Sequence, residues 1–212
     1  MKQIIVLLIV ISSILLTGCN GNNIHSVISE RTTDYYYGEM ENVKVSLAVG
    51  QREEPYVLDG KHGAMVDFSL LAIDTGKSYS HATIDAMVSF GGSIMEVSLE
   101  LNPLNMTYMA DLGKILWSES VCVEVENQEV NLRKISDDFS IDYKKAVEIG
   151  ESNTEIGDFK QNGRYSCEGY VKIVEGKSFG QTGFYWCVTI LNESKRSNVL
   201  INTLDEKDII KL

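Results

Sequence analysis

Hydrophobic residues change their spacing three times along this chain. From Ile4 to Leu16 they are nearly continuous, interrupted only by Ser12 and Ser13. From about residue 43 to 135 they recur at every second position. Val43, Val45, Leu47 and Val49 alternate with Lys44 and Ser46, and Val66, Phe68, Leu70 and Ala72 with Asp67 and Ser69. Ile84, Ala86, Val88 and Phe90 alternate with Asp85 and Ser89; Met95, Val97, Leu99 and Leu101 with Glu96, Ser98 and Glu100; Val121, Val123 and Val125 with Cys122, Glu124 and Glu126. Alternation of this kind puts one face of a strand in a core and the other in solvent. Gly91-Gly92 separates two of the runs and suits a two-residue hairpin turn with positive φ. Asn127-Gln128 plays the same part before the shorter run 129–133, and Asp59-Gly60, Asp74-Thr75-Gly76 and Asn102-Pro103 break the other strands. About seven short strands without a helical period predict a β-sandwich.

After Ser136-Asp137-Asp138 the period lengthens. Residues 140–151 read as a helix, with Tyr143, Ala146, Val147 and Gly150 on one side, Ser140 as cap and Asp142 in the first turn. Strands are expected over 164–174, 184–191 and 198–204, with a polar hairpin loop at 192–197 and a tail, 205–210, that adds a turn or a strand end. A helix followed by an antiparallel meander is an α+β unit, the helix covering one face of the sheet. The predicted fold class is mainly β with a C-terminal α+β unit. Its parts are a signal segment (1–18), a polar tether (19–42), a β-sandwich (43–135) and the helix-and-meander unit (138–212).

The first apolar run is shorter than the roughly 20 residues needed to cross a bilayer, follows the positive Lys2, and fits a secretory signal. It ends on Leu16-Thr17-Gly18-Cys19, which resembles the bacterial lipoprotein lipobox. The resemblance implies cleavage between Gly18 and Cys19, diacylglyceryl transfer to the Cys19 thiol, and a palmitate-type lipid anchor on the extracytoplasmic face of the cell membrane. Asn20-Gly21-Asn22-Asn23 then reads as a flexible spacer. The alternating region resembles an immunoglobulin-like module in architecture, although Trp117 lacks the flanking cysteines of that signature. The last region resembles a PepSY domain and, more loosely, cystatin-like folds. Tyr143-Lys144-Lys145-Ala146-Val147-Glu148-Ile149, Phe184-Tyr185-Trp186-Cys187-Val188-Thr189-Ile190 and Val199-Leu200-Ile201-Asn202-Thr203 carry that likeness. Leu204-Asp205-Glu206-Lys207-Asp208 departs from it, lacking the glycine of the usual Asp-x-x-x-Gly turn. The resemblance implies binding, in the manner of modules that restrain or accompany peptidases.

Charge narrows the partners. Lys2 is the only charged residue in the first 18, so 18 Lys and Arg remain against 30 Asp and Glu, a net of −12. Such a surface disfavours nucleic acid and anionic head groups. Three cysteines remain besides Cys19, an odd number that rules out full pairing within the chain. If Tyr165, Cys167, Val171 and Ile173 share a face with Phe184, Trp186, Val188 and Ile190, Cys187 points away from Cys167, and free thiols are expected.

The candidates for chemistry are few. His25 falls in the tether, His62 in a turn, and His81 lies about 13 Å along a strand from Asp85, too far for a shared metal. No metal ligand set and no cofactor motif is expected. Cys122 sits beside Glu124 and Glu126, which oppose formation of a reactive thiolate. The sequons at Asn105-Met106-Thr107 and Asn192-Glu193-Ser194 carry little weight in a bacterium. Tyr35, Tyr36 and Tyr37 read either as a recognition patch or as a run laying the incoming chain across a domain surface; Tyr170 and Tyr185 are further candidate ligand-facing aromatics. The leading expectation is a non-enzymatic envelope lipoprotein that binds a protein or peptide, with the meander's edges open to strand addition. The alternative is a small-ligand or carbohydrate-binding lipoprotein serving a transporter or sensor.

Overall fold

The computed structural model describes residues 23–54, 63–76 and 81–212. The signal segment, Gly18, Cys19 and His62 lie outside the described residues. Mainly β, with one α-helix among the described residues, the chain is organised by its first strand, β1 (Ile28–Met40). β1 pairs antiparallel with β2 (Val43–Glu53), which pairs with β3 (Met65–Asp74). The hairpin β4 (Thr83–Phe90) and β5 (Ser93–Asn102) continues into β6 (Thr107–Asp111), which returns to β3. On its other side β4 pairs with β7 (Ser120–Val125), and β7 with β8 (Gln128–Lys134). β8 then pairs with β1 at Tyr36 and Tyr37, so eight strands close into a ring in the order β1-β2-β3-β6-β5-β4-β7-β8.

The ring replaces the expected two-layer, immunoglobulin-like sandwich, and β1 is the reason. Without it β2 and β8 would be the open edges of a sheet; with it both edges find a partner and the sheet curls shut. The alternating residues fill the ring: Val43, Val45, Leu47, Leu71, Ile73, Val88, Leu99, Val121, Val123 and Val130 are buried in one cluster. Trp117 packs against this cluster, its ring tilted against Phe90 at 4.7 Å and its Nε1–H donating to Ser69 Oγ at 2.8 Å. Gly91 and Gly92 turn the β4–β5 hairpin with φ of 54° and 81°, as that pair predicts. The β7–β8 turn uses Glu126 and Asn127 instead, one residue before the expected pair.

The first half of β1 also pairs in parallel with β11 (Glu168–Glu175), which continues antiparallel through β12 (Phe184–Leu191), β13 (Arg196–Asn202) and β14 (Ile209–Lys211). The ring and the meander are therefore one sheet of 12 strands. A separate short hairpin, β9 (Lys160–Gln161) with β10 (Arg164–Tyr165), precedes the meander. Helix α1 (Tyr143–Ser152) lies across β12 and β13 and buries Ala146, Val147 and Gly150. Its N-cap is Asp142, whose side chain accepts from the Lys145 N–H at 2.8 Å, rather than Ser140. The helix sits close to the sheet because residue 150 has no side chain: a Cβ there would stand 2.6 Å from Val188 Cγ1. Beneath it Trp186, Val188, Ile190, Val171, Ile173, Val199 and Ile201 form a second core.

The segment 28–40, expected to be tether, is thus the central strand. Tyr35 belongs to the helix-side core and Tyr36 to the ring's core, while Tyr37 packs edge-on against Phe184 at 5.1 Å. Lys44 binds Glu175 at 2.8 Å and Lys134 binds Asp34 at 2.7 Å, tying β2 to β11 and β8 to β1.

Candidate functional site

A cavity of about 400 Å³ opens at one end of β1, β2 and β3, beside the start of α1. β1, β2 and β3 form its floor through Arg31, Gln51 and Asp67; the segment after β6 supplies Lys114 and Leu116, and α1 supplies Tyr143. A register shift in the β1–β2 ladder between Thr32 and Asp34 re-aims Arg31 and Thr33. Gly50, opposite Thr32, permits it: a Cβ at Gly50 would stand 2.0 Å from the Arg31 carbonyl oxygen.

Polar side chains run across the cleft as a relay. Arg31 Nη2 donates to Gln51 Oε1, Gln51 Nε2 donates to Asp67 Oδ1 at 2.8 Å, and Lys114 Nζ meets Asp67 Oδ2 at 2.7 Å. The hydrogen bonds from Lys114 and Gln51 hold the Asp67 carboxyl below the usual range, and Asp67 in turn raises Lys114. The Arg31 guanidinium lies 5.4 Å from the centre of the Tyr143 ring. Its Nε–H is buried without a hydrogen-bond partner among the described residues. A buried donor left unpaired costs roughly 1–3 kcal/mol. Leu116, 89 % exposed, stands on the rim.

Tyr35, Tyr36 and Tyr37 do not make a recognition patch, because they alternate across β1. Burial raises the pKa of Tyr35 and Tyr36; burial and the hydrogen bond from the Tyr37 hydroxyl to Glu39 (2.8 Å) raise that of Tyr37. Tyr185 is also buried, its hydroxyl donating to Asp208 at 2.7 Å. One of the meander's two edges is taken, since β11 pairs with β1; the other is the outer side of the short strand β14, the last strand of the sheet.

Cys122, Cys167 and Cys187 are free thiols. Val171 opposes Val188 and Ile173 opposes Trp186, the register the shared apolar face requires, so Cys187 faces away from the core that holds Cys167. Burial, then Glu129 with its oxygen 3.8 Å from Sγ, raises the Cys122 pKa. His25 lies in a short 3₁₀ turn, and His81 offers its carbonyl to the Tyr108 hydroxyl at 3.0 Å. Among the described residues, no group of three or more His, Cys, Asp or Glu is placed to hold a metal ion, and no helix is long and apolar enough to cross a membrane.

No protein-family model, curated protein or solved structure matches the chain. The cleft therefore stands on its own chemistry. Sequence reasoning missed it because Arg31, Gln51, Asp67, Lys114 and Tyr143 each read as an ordinary polar-face or loop residue. Only the folded sheet brings them together.

Proposed function

We propose that this chain is a non-enzymatic binding lipoprotein, anchored through Cys19 to the extracytoplasmic face of the cell membrane, whose cleft takes a small polar ligand for a transporter or sensor. The observation that carries this reading is a cleft of about 400 Å³ lined by two cations, Arg31 and Lys114, beside the Tyr143 ring. That set fits a molecule with a carboxylate, phosphate or hydroxyl-rich end, the oxygen meeting Arg31 and an apolar or sugar face lying on Tyr143. The test is calorimetric titration of the full-length chain in detergent with acidic sugars, neutral sugars and small carboxylates. At least one should bind, and Arg31→Met should weaken it at least about tenfold, as loss of a charge-assisted hydrogen bond requires. A ligand held equally well by Arg31→Met would remove the reading. Growth with a clickable fatty acid tests the anchor: label on the parent should vanish in Cys19→Ala.

The exposed Leu116 on the cleft rim favours a second reading, a protein or peptide partner such as a peptidase, which the PepSY resemblance of 143–149, 184–190 and 199–203 also implies. Such a partner would dock on side chains at the rim or add a strand to the outer edge of β14. Crosslinking from position 116 that captures one reproducible protein, and no small-molecule binding, would support it over the first.

A further inference from the structure

Most of the expected tether is fold, and that leaves little chain between anchor and body. Ile24 and Val27 are buried in the helix-side core, and β1 follows directly at Ile28. The Asn23 side chain caps the 3₁₀ turn Ile24–Val27, accepting from the His25 N–H at 3.0 Å. Only residues 20–22 separate Cys19 from Asn23. Even fully stretched, the step from Cys19 to Asn23 covers at most about 14 Å. A lipid on Cys19 would hold the body against the bilayer rather than away from it.

Register identifies the end that is held. Ile28 faces Gly169 near the start of β11, Glu168 faces Leu191 at the end of β12, and Leu191 faces Arg196 at the start of β13. The 3₁₀ turn Ile156–Phe159 is tied to the same end: Asn192 Nδ2 donates to the Asp158 carbonyl at 3.1 Å, and Lys195 binds Asp158 at 2.6 Å. β1 runs 13 residues away from this end, so its tip at Met40 lies about 40 Å from Ile28. Charge agrees with the geometry. Segments 155–164 and 192–197 carry Lys160, Arg164, Lys195 and Arg196 against three Asp and Glu, whereas residues 83–134 of the ring carry eight Asp and Glu against three Lys and Arg. An anionic leaflet is felt over roughly 8 Å, and it repels the ring far more than this end. We propose that this end of the sheet, from the turn before β1 to the β12–β13 turn, is a bilayer-contact face seated on the phospholipid head groups, with β1 pointing away from the membrane. The seating rests on acylation of Cys19 as proposed above. Arg31 is three residues along β1 from Ile28, so the cleft opens about 10 Å from that face, within reach of a transporter in the same membrane.

Energy transfer to the bilayer tests this. The acylated full-length chain is placed in vesicles of phosphatidylethanolamine and phosphatidylglycerol that carry an acceptor dye on the head group. One donor dye is attached at Glu193→Cys or at Met40→Cys, both exposed positions, with Cys122 and Cys187 changed to Ser and the buried Cys167 left in place. Donor emission at 193 should fall at least about twofold more than at 40, as a separation of about 40 Å along β1 requires. A Gly/Ser insert of about 20 residues after Asn22, roughly 25 Å of flexible chain, should restore emission at 193. With acyl label present on Cys19, equal transfer at the two sites, greater transfer at 40, or no change on lengthening the spacer overturns the seating and leaves the anchor standing. If no acyl label on the chain depends on Cys19, anchor and seating fall together.

Discussion

A single methyl group at position 150 tests how α1 is docked. In a helix interior Ala is favoured over Gly by about 1 kcal/mol, because Gly gives up more backbone freedom on folding. On that ground alone Gly150→Ala would stabilise the chain. The structure predicts the opposite sign. The added carbon would stand 2.6 Å from Val188 Cγ1, 2.8 Å from its Cβ and 3.1 Å from its Cγ2. Val188 is 1 % exposed, β-branched, and held between Val171 on β11 and Val199 on β13. A β-branched side chain is restricted at χ1, so little relief comes from rotation. Overpacking of this kind costs about 1–3 kcal/mol. Set against the gain in propensity, the net is a loss of about 1 kcal/mol. Guanidinium unfolding should show a lower midpoint at unchanged m.

The same reasoning predicts that the effect reverses when Val188 is cut back. In a Val188→Ala background the methyl added at position 150 enters vacated space, so Gly150→Ala should then stabilise by about 1 kcal/mol. The double-mutant cycle should give a coupling of about 2 kcal/mol. Stabilisation by Gly150→Ala in the parent, or a coupling below about 0.5 kcal/mol, would refute the close contact of helix and sheet.

Three further outcomes follow from the same packing. Trp186→Phe removes the buried Nε1–H to Ile141 O bond of 2.8 Å and leaves that carbonyl unpaired, so it should cost about 1–3 kcal/mol in thermal unfolding; no measurable loss would place the ring elsewhere. Asp142→Ala should cost about 1 kcal/mol, whereas Ser140→Ala should stay within about 0.5, and the reverse order would move the helix start back to residue 140. Burial pushes the Cys167 thiol up to about 11, while an unfolded thiol titrates near 8.5. Between those values the unfolded chain has released the proton and the folded chain still holds it, so stability falls as pH rises. The slope is at most about 1.4 kcal/mol per pH unit. Unfolding measured at pH 8.5, 9.5 and 10.5 should show a shallower decline in Cys167→Ala, and equal slopes would contradict the burial of this thiol.

Period alone was enough to find β2, β3, β4, β5, β7, β8, β12 and α1, because each has one wet and one dry face. β6 is too short for a period to show between Pro103 and Gly113. β1 fails for a different reason. Its residues serve a core on each side, with Tyr35 in one and Tyr36 in the other, and it buries the polar Ser29 and Thr32. A strand with two buried faces and polar residues among them shows no alternation, and so reads as linker. Missing it also hid the closure of the ring, since only β1 joins β2 to β8.

The candidate cleft draws on that same unreadable strand, which gives it Arg31 and Thr33. The strand's pairing with β11 shifts between Ile28 and Glu30, and its pairing with β2 shifts between Thr32 and Asp34. Bulges of this kind re-aim side chains and collect beside functional sites. They are also where buried groups are left without partners: Arg31 Nε beside one shift, Glu53 Oε2 and Glu168 Oε1 beside the other. A strand that only closed the ring would need neither irregularity. Restoring the regular ladder would pair those strands more evenly, and would re-aim Arg31 and Thr33 away from the cleft.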